Sequence, residues 1–403
     1  MSELRKQYHE VIVVGGGPAG SSAAIHLAQQ DISVLLIEQK RFPRAKLCGE
    51  FISPECVDHF EKLGAAANMQ ASEPAEITET VFYSRRGRRL VIPSSWFGGS
   101  FALGLSRAEM DNNLLRRAKD LGVNVLEETS VIALIEEQNS VTGVRVRTHN
   151  VEHEYGTSIV VDATGRSRAV IRKLGRLDAT RHEKPKLVAF KVHLEGSRAT
   201  PSTCEIYSYP GGYGGLSTIE NRLSNLCFIA SAKEVMRAHS KPEEVVRQNL
   251  MHNERAAFTL KEAHVTTEWL SVALDNFGRY RPSPASGLIA VGDSAAFIDP
   301  FTGSGMLMAL EGGELAADVI VRHRNKLNEV NGVSALCHEY EREYGLKFDT
   351  RLRLCSLLRR VAFNPLLAQA TISLCGISAR FRNGLARATR SKVKDNTASA
   401  SLS

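Results

Sequence analysis

The chain has 403 residues, 43% hydrophobic and 24% charged, with a formal net charge of +7. That length permits a large buried core and two interpenetrating domains, and no apolar run reaches the ~18 residues that would suggest a membrane-spanning helix. Seven scattered cysteines (48, 56, 204, 227, 337, 355 and 375) show no C-x-x-C or metal-ligand spacing, which predicts reduced thiols, a cytoplasmic setting and no metal.

The opening segment, Met1-Ser-Glu-Leu-Arg-Lys6, is short and polar and does not read as a signal peptide. The first predicted strand, Val11-Ile-Val-Val14, runs into Gly15-x-Gly17-Pro18-Ala19-Gly20, and a helical pattern starts at Ser21. A second apolar run, Val34-Leu-Leu-Ile37, ends at Glu38. Gly15 suits a tight turn, Gly17 lets a pyrophosphate approach the helix N-terminus, and Gly20 lets helix and strand pack closely. Glu38 stands where a carboxylate can accept from a ribose diol, so the unit predicts a dinucleotide site.

Residues 41 to 56 are irregular, with two prolines and a glycine, and are well placed to line that site. A short helix is expected at Val57–Leu63, then strands over 77 to 105 with turns at Gly87 and Gly98-Gly99. Arg107 to Leu121 reads as a helix capped by Ser106. Strands follow at Val123–Leu126, Val131–Glu136, Val141–Thr148 and the fully apolar Ser158-Ile-Val-Val-Asp162. Antiparallel patterning occupies 186 to 230, helical patterning 233 to 260, and strands return at 265 to 280. Leu288-Ile-Ala-Val-Gly292-Asp293 is another buried strand, followed by Gly303-Ser-Gly305-Met306 and a helix over about 305 to 324.

Asp162-Ala-Thr-Gly165 and Gly292-Asp293 through Gly305 echo the first turn: buried strand, acid, glycine. The set resembles flavoproteins of the aromatic hydroxylase type, a superfamily that also holds geranylgeranyl reductases, squalene epoxidases and flavin-dependent halogenases. The resemblance runs from about residue 8 to about 325. It implies FAD, with Gly15, Gly17, Pro18, Ala19, Gly20 and Glu38 at the ADP half. Asp162 and Gly165 look like the family's middle motif, and Gly292, Asp293, Gly303, Gly305 and Met306 its third, beside ribitol and flavin. Arg107, opening a helix as R-x-x-x-D, resembles the arginine that contacts FAD, and Val131 is expected at the same cofactor. Lys46-Leu-Cys48-Gly49-Glu50 resembles the K-x-C-G segment of the reductase branch, which passes near the isoalloxazine. The halogenase W-x-W-x-I-P box is absent, and Tyr213-Gly-Gly-Leu-Ser-Thr stands where the reductase box Y-x-W-x-F-P would fall.

The implied fold is α/β: a Rossmann-like FAD-binding domain (1–75, 106–180, 283–330), an inserted antiparallel-sheet substrate domain (76–105, 181–282) and a helical basic C-terminal extension (331–403). The leading activity is an NADH- or NADPH-driven monooxygenase working through a flavin C4a-hydroperoxide on a lipophilic aromatic, polyketide- or isoprenoid-like metabolite. The alternatives are a C=C reductase of the geranylgeranyl reductase type and, behind it, a halogenase; a non-catalytic flavin sensor is the reading from another class. No second G-x-G-x-x-G serves a nicotinamide, which leaves room for a separate flavin-reducing partner. The mild basicity admits nucleic acid, but no recognition motif supports it.

The catalytic acid or base is not identified; Cys48 and Glu50 are weak candidates, with Glu50 equally suited to pairing with Lys46. His193 and His264 lie in strand patterns and read more readily as structural. Tyr207, Tyr209 and Tyr213, with Trp96 and Phe97, are candidates for an apolar pocket or for ordinary core. From Arg351 to Lys394 there are ten basic residues and no acidic one, interleaved with leucines. That pattern fits either a helix packed over the substrate domain or peripheral contact with an anionic membrane surface.

Overall fold

A computed structural model describes residues 7–175, 186–275 and 277–362, with the side chains of Thr302 and of 358–362 outside the description. Four-residue apolar runs build its centre. β1 (Val11–Val14) leads into α1 (Pro18–Ala28) and β2 (Val34–Ile37), and every residue of both strands is buried. Outside this unit come β3 (Glu79–Tyr83), β4 (Arg89–Pro93) and α2 (Arg107–Asp120), then β5 (Asn124–Leu126) and β6 (Ile159–Asp162). β7 (Leu187–Glu195), β8 (Thr203–Tyr209), β9 (Gly212–Thr218) and β10 (Ser224–Ser231) follow. β11 (His264–Val265), β12 (Leu270–Leu274), β13 (Leu288–Ala290), α3 (Gly305–His323) and α4 (Gly332–Ala362) complete the set used below.

Five strands form one parallel sheet in the order β13-β6-β1-β2-β5. The strands at its centre are almost wholly apolar because both faces are covered. α1 packs on α3, where Ser22 Oγ donates to the Leu310 carbonyl at 2.8 Å. An antiparallel meander over Thr129–Glu137, Ser140–Thr148 and Val151–Gly156 adds Val141, Val144 and Val146 to the same core.

The second large sheet has eight strands in the order β11-β7-β10-β9-β8-β3-β4, with β12 also paired to β7. Only the β3–β8 pairing is parallel. One face packs on short helices at Ala232–Arg237, Pro242–Gln248 and Glu254–Thr259, with Tyr207, Phe228 and Leu250 fully buried between. The opposite face looks toward the turns of the parallel sheet. The α/β class, with an antiparallel sheet inserted between nucleotide-type elements and a C-terminal helix, is therefore what the chain adopts.

α4 is fastened by Tyr340, whose hydroxyl donates to the Ala290 carbonyl at 2.6 Å, and by a buried Arg351–Glu311 pair at 2.6 Å. Most of the basic segment 351–394 lies outside the described residues, so its membrane-surface reading is not addressed by the fold. Among the described residues no helix is long and apolar enough to cross a membrane, and no group of three His, Cys, Asp or Glu could hold a metal ion.

Candidate functional site

Three strands that are neighbours in the order β13-β6-β1 each end in a turn at the same edge of the sheet. Segments far apart in sequence thereby meet. Gly15 has φ +107°, and a Cβ there would lie 2.4 Å from the Ala163 carbonyl oxygen, so the first and second turns touch. A Cβ on Gly20 would lie 1.9 Å from the Gly15 carbonyl oxygen, which is the close helix–strand approach that the third glycine permits. At Gly292 the third turn reaches to within 2.8 Å of the Ala19 Cβ, measured from the same constructed atom.

A cavity of about 560 Å³ opens where these turns converge. Gly17, Pro18, Ala19, Lys46, Arg107, Gly165, Gly292, Asp293, Gly303, Gly305 and Met306 all stand on its wall. Gly15, Gly20, Glu38, Val131 and Asp162 do not. For Asp162 this corrects the expected cofactor contact. Asp162 is fully buried and accepts from Thr164 N and Oγ1 (2.8 and 2.6 Å), Ser294 Oγ (3.0 Å) and Ile171 N (3.1 Å). Its side chain turns into the protein, and it holds the second turn in shape. Val131 is half-buried against the core. Glu38 directly follows β2, with Oε2 accepting from Gly16 N at 2.8 Å and Oε1 from Lys40 N at 2.9 Å. Its carboxylate braces the glycine turn, and Arg44 stands 3.8 Å away.

The cavity's charge suits a diphosphate. α1 has Pro18 at its start and no acid in its first turn, so the partial positive charge of its N-terminus is not neutralised. Arg107 is held by Asp111 through two hydrogen bonds of 2.8 and 2.7 Å, and Arg44 lies 3.5 Å from the same carboxylate. Burial works against the Arg107 charge, but Asp111 outweighs it and raises the pKa. Arg166 is fixed by donating to the Ala273 carbonyl at 2.9 Å. Enclosure by protein, then Arg107, Arg44 and Arg166, lower the pKa of Lys46. Burial raises that of Asp293 against the pull of Arg166 and Lys46. This excess of cations calls for an anionic ligand. At the other end Gly305 opens α3 with no acid in its first turn, and a Cβ there would meet nothing within 4 Å. That cradle fits an electron-rich flavin edge, so the residues present fit FAD.

Residues 46–50 form the roof between this cofactor end and the second sheet. The sheet reaches up to their carbonyls: Lys191 Nζ to Lys46 (3.2 Å), Asn225 Nδ2 to Cys48 (3.1 Å) and Ser217 Oγ to Gly49 (3.4 Å). Glu50 is fully buried with φ +52°. Its carboxylate accepts from Arg107 N at 2.8 Å, from His193 Nε2 at 2.7 Å and from Lys191 Nζ. Burial pushes the Glu50 pKa up, but His193 and Lys191 win and hold it below the ordinary value. Glu50 is thus not a partner of Lys46, and with three donors on a depressed carboxylate it is a poor proton source. Cys48 stays half-exposed at the cavity, with Sγ accepting from Glu50 N at 3.5 Å.

The floor is the inner face of the eight-stranded sheet, and the strand register lays it out. One row runs Phe82–Ile206–Gly215–Cys227–Lys191–Leu270. The next runs Tyr213–Ile229–Ala189–Val272. Phe97, Phe297 and Phe301 complete an apolar chamber continuous with the cofactor end. Tyr213 donates to Asp299 Oδ1 at 2.6 Å, tying sheet to loop. Tyr207 and Tyr209 point to the opposite, helix-covered face, because side chains on a strand alternate. Trp96 is not on the cavity wall, and His264 is exposed on an edge strand. Sequence reasoning missed Lys191, Asn225, Arg44 and Arg166. A lysine and a histidine two apart in the buried strand Ala189-Phe-Lys-Val-His193 were the available signal for a polar seam on one face.

Comparison with known proteins agrees with this geometry. Residues 8–314 match the family model described as FAD binding domain. The digeranylgeranylglycerophospholipid reductase of Methanosarcina mazei is 26% identical over 321 residues, spanning 78% of this chain and 75% of that protein. The menaquinone reductase of Mycolicibacterium smegmatis is 28% identical over 330 residues, 77% of this chain and 76% of that protein. Among solved structures the flavin-dependent brominase Bmp2 superposes with a TM-score of 0.81 at 21% identity, covering 95% of this chain and 93% of that one, a likeness of fold. With three glycine turns meeting at a cationic cavity and a family match across most of its length, the chain belongs to the FAD-binding-domain family of FAD-dependent oxidoreductases.

Proposed function

We propose that this chain is an NADH- or NADPH-driven FAD monooxygenase of a lipophilic, ring-bearing substrate. FAD supplies the redox chemistry when bound. The chain's own residues bind and orient it: the first turn and the N-terminus of α1 with Arg44 and Arg107 at the diphosphate, and Gly303–Gly305 at the flavin. One observation carries the reading. The chamber beyond the cofactor end is walled chiefly by apolar side chains, and two of the carboxylates around it are already engaged, Glu50 with Lys191 and His193, and Asp299 with Tyr213. Oxygen insertion asks of the protein chiefly that it exclude water and position the substrate. The relatives named reductases, and the half-exposed Cys48 thiol, favour a second reading: reduction of a carbon–carbon double bond with Cys48 as proton donor.

The test is NADPH consumption by the FAD-loaded protein with a panel of lipophilic phenols and allylic isoprenoids, with and without O₂. Consumption that requires O₂, rises with a phenol and yields a hydroxylated product supports the proposal. Substrate reduction in the absence of O₂ overturns it in favour of the second reading.

A further inference from the structure

Gly215 sits in the middle of the chamber floor, on the face of β9 that it shares with Tyr213 and Ser217. Those two side chains both span to the opposite wall, Tyr213 to Asp299 at 2.6 Å and Ser217 to the Gly49 carbonyl at 3.4 Å. Between them Gly215 presents nothing. Its strand neighbours in the same row are Ile206 and Cys227.

The backbone does not ask for glycine here. Gly215 is not in the left-handed region, unlike Gly15 or Gly292. A Cβ would meet only the Ile206 Cδ1 at 3.1 Å and the Glu205 carbonyl oxygen at 3.8 Å, and the first is the free end of a flexible side chain. Glycine within a strand also weakens it, so its presence here calls for a reason in the chamber. With adjacent strands about 4.8 Å apart, the missing side chain leaves a narrow space beneath the roof segment 46–50 that only the movable tip of Ile206 enters. A slot one strand wide, closed at both ends by anchored side chains, admits a flat edge and excludes a bulky branched group.

We infer that Gly215 is the specificity-determining residue of this chamber, and that its slot seats the edge of a planar ring next to Cys48. The inference rests on the reading of the chamber as a lipophilic substrate site, and it concerns binding rather than the reaction performed there.

The test uses FAD-loaded wild type, Gly215→Ala and Gly215→Leu, with menadione as planar probe and farnesol as linear probe. Binding is followed by perturbation of the flavin absorbance, and FAD content and near-ultraviolet circular dichroism report on folding. Wild type is expected to bind menadione. Gly215→Leu is expected to weaken menadione about tenfold or more, with farnesol changed by less than about threefold. If the leucine variant does not fold, Gly215→Ala decides, with menadione weakened about threefold and farnesol unchanged. Unaltered menadione affinity in the folded variant, equal loss of both probes, or a wild type that binds farnesol but not menadione each overturns the inference. A failure of the oxygenation reading would appear in turnover and leave these affinities as they are.

Discussion

His193 donates from Nε2 to the carboxylate of Glu50 across 2.7 Å, and this contact ties the roof segment 46–50 to the eight-stranded sheet. Glu50 ends the roof segment beside the cofactor, whereas His193 and Lys191 project from the floor. With Arg107 N also donating to it, one carboxylate fixes the start of α2, the roof and the floor together. Removing it leaves buried donors without partners, which costs far more than the pair contributes by itself.

Glu50→Ala is therefore expected to destabilise the protein by about 3–5 kcal/mol and to weaken FAD binding, because Arg107 loses its backbone anchor. Glu50→Gln keeps the shape but not the charge and is expected to cost less. The pH dependence has a definite sign. The Glu50 pKa is held below the ordinary 4.5 in the folded chain. Its contribution is complete above that value and is lost as pH falls through the folded pKa. Urea denaturation of wild type and Glu50→Gln should show a gap at pH 7 that narrows only below about 4.5. A gap that stays constant into that acid range would show that charge pairing is not what Glu50 provides.

Glu38 holds the N–H groups of Gly16 and Lys40 and so braces the first glycine turn. Glu38→Ala is expected to raise the Kd for FAD by about 10- to 100-fold, measured by flavin fluorescence on the apoprotein. Glu38→Gln can still accept one of those hydrogen bonds and should fall between. An unchanged Kd in the alanine variant would remove Glu38 from the cofactor site.

Asp162 carries an isosteric test of the second turn. All four groups around its carboxylate donate to it, so an amide there would set its NH₂ against a donor. Asp162→Asn should lower stability by about 1–3 kcal/mol despite its near-identical shape. Thermal unfolding that matches wild type would show that the turn does not depend on this acceptor.

Much of this was legible because it is local. A glycine turn after an apolar strand declares itself within ten residues, so the three turns and the parallel sheet beneath them could be read directly. The direction of Asp162 could not, since a strand-end acid can face a ligand or its own loop, and only the donors around it decide. Glu50 and Lys191 are 141 positions apart, and nothing in either neighbourhood announces the other. The same holds for Tyr213 and Asp299, which are 86 apart. Strand alternation sorted Tyr213 from Tyr207 and Tyr209 only once the register showed which face of the sheet looked at the cofactor end.

Cys48 separates the two readings of the chemistry. Its thiol stands at the junction of roof and cavity with the Glu50 N–H on its sulfur. In a double-bond reduction it would be the proton donor, and Cys48→Ala would slow product formation by about 10²–10⁴-fold while leaving the reduction of FAD by NADPH untouched. In oxygenation the thiol borders the chamber without exchanging a proton in the chemical step. Cys48→Ala is then expected to reduce oxygenated product by less than about tenfold, through small losses in packing. Rapid-mixing measurements of flavin reduction and of product formation, run separately on wild type and variant, distinguish these outcomes. A collapse of product formation with normal flavin reduction, rescued in part by Cys48→Ser, would assign the thiol to proton delivery and move the protein to the reductive side.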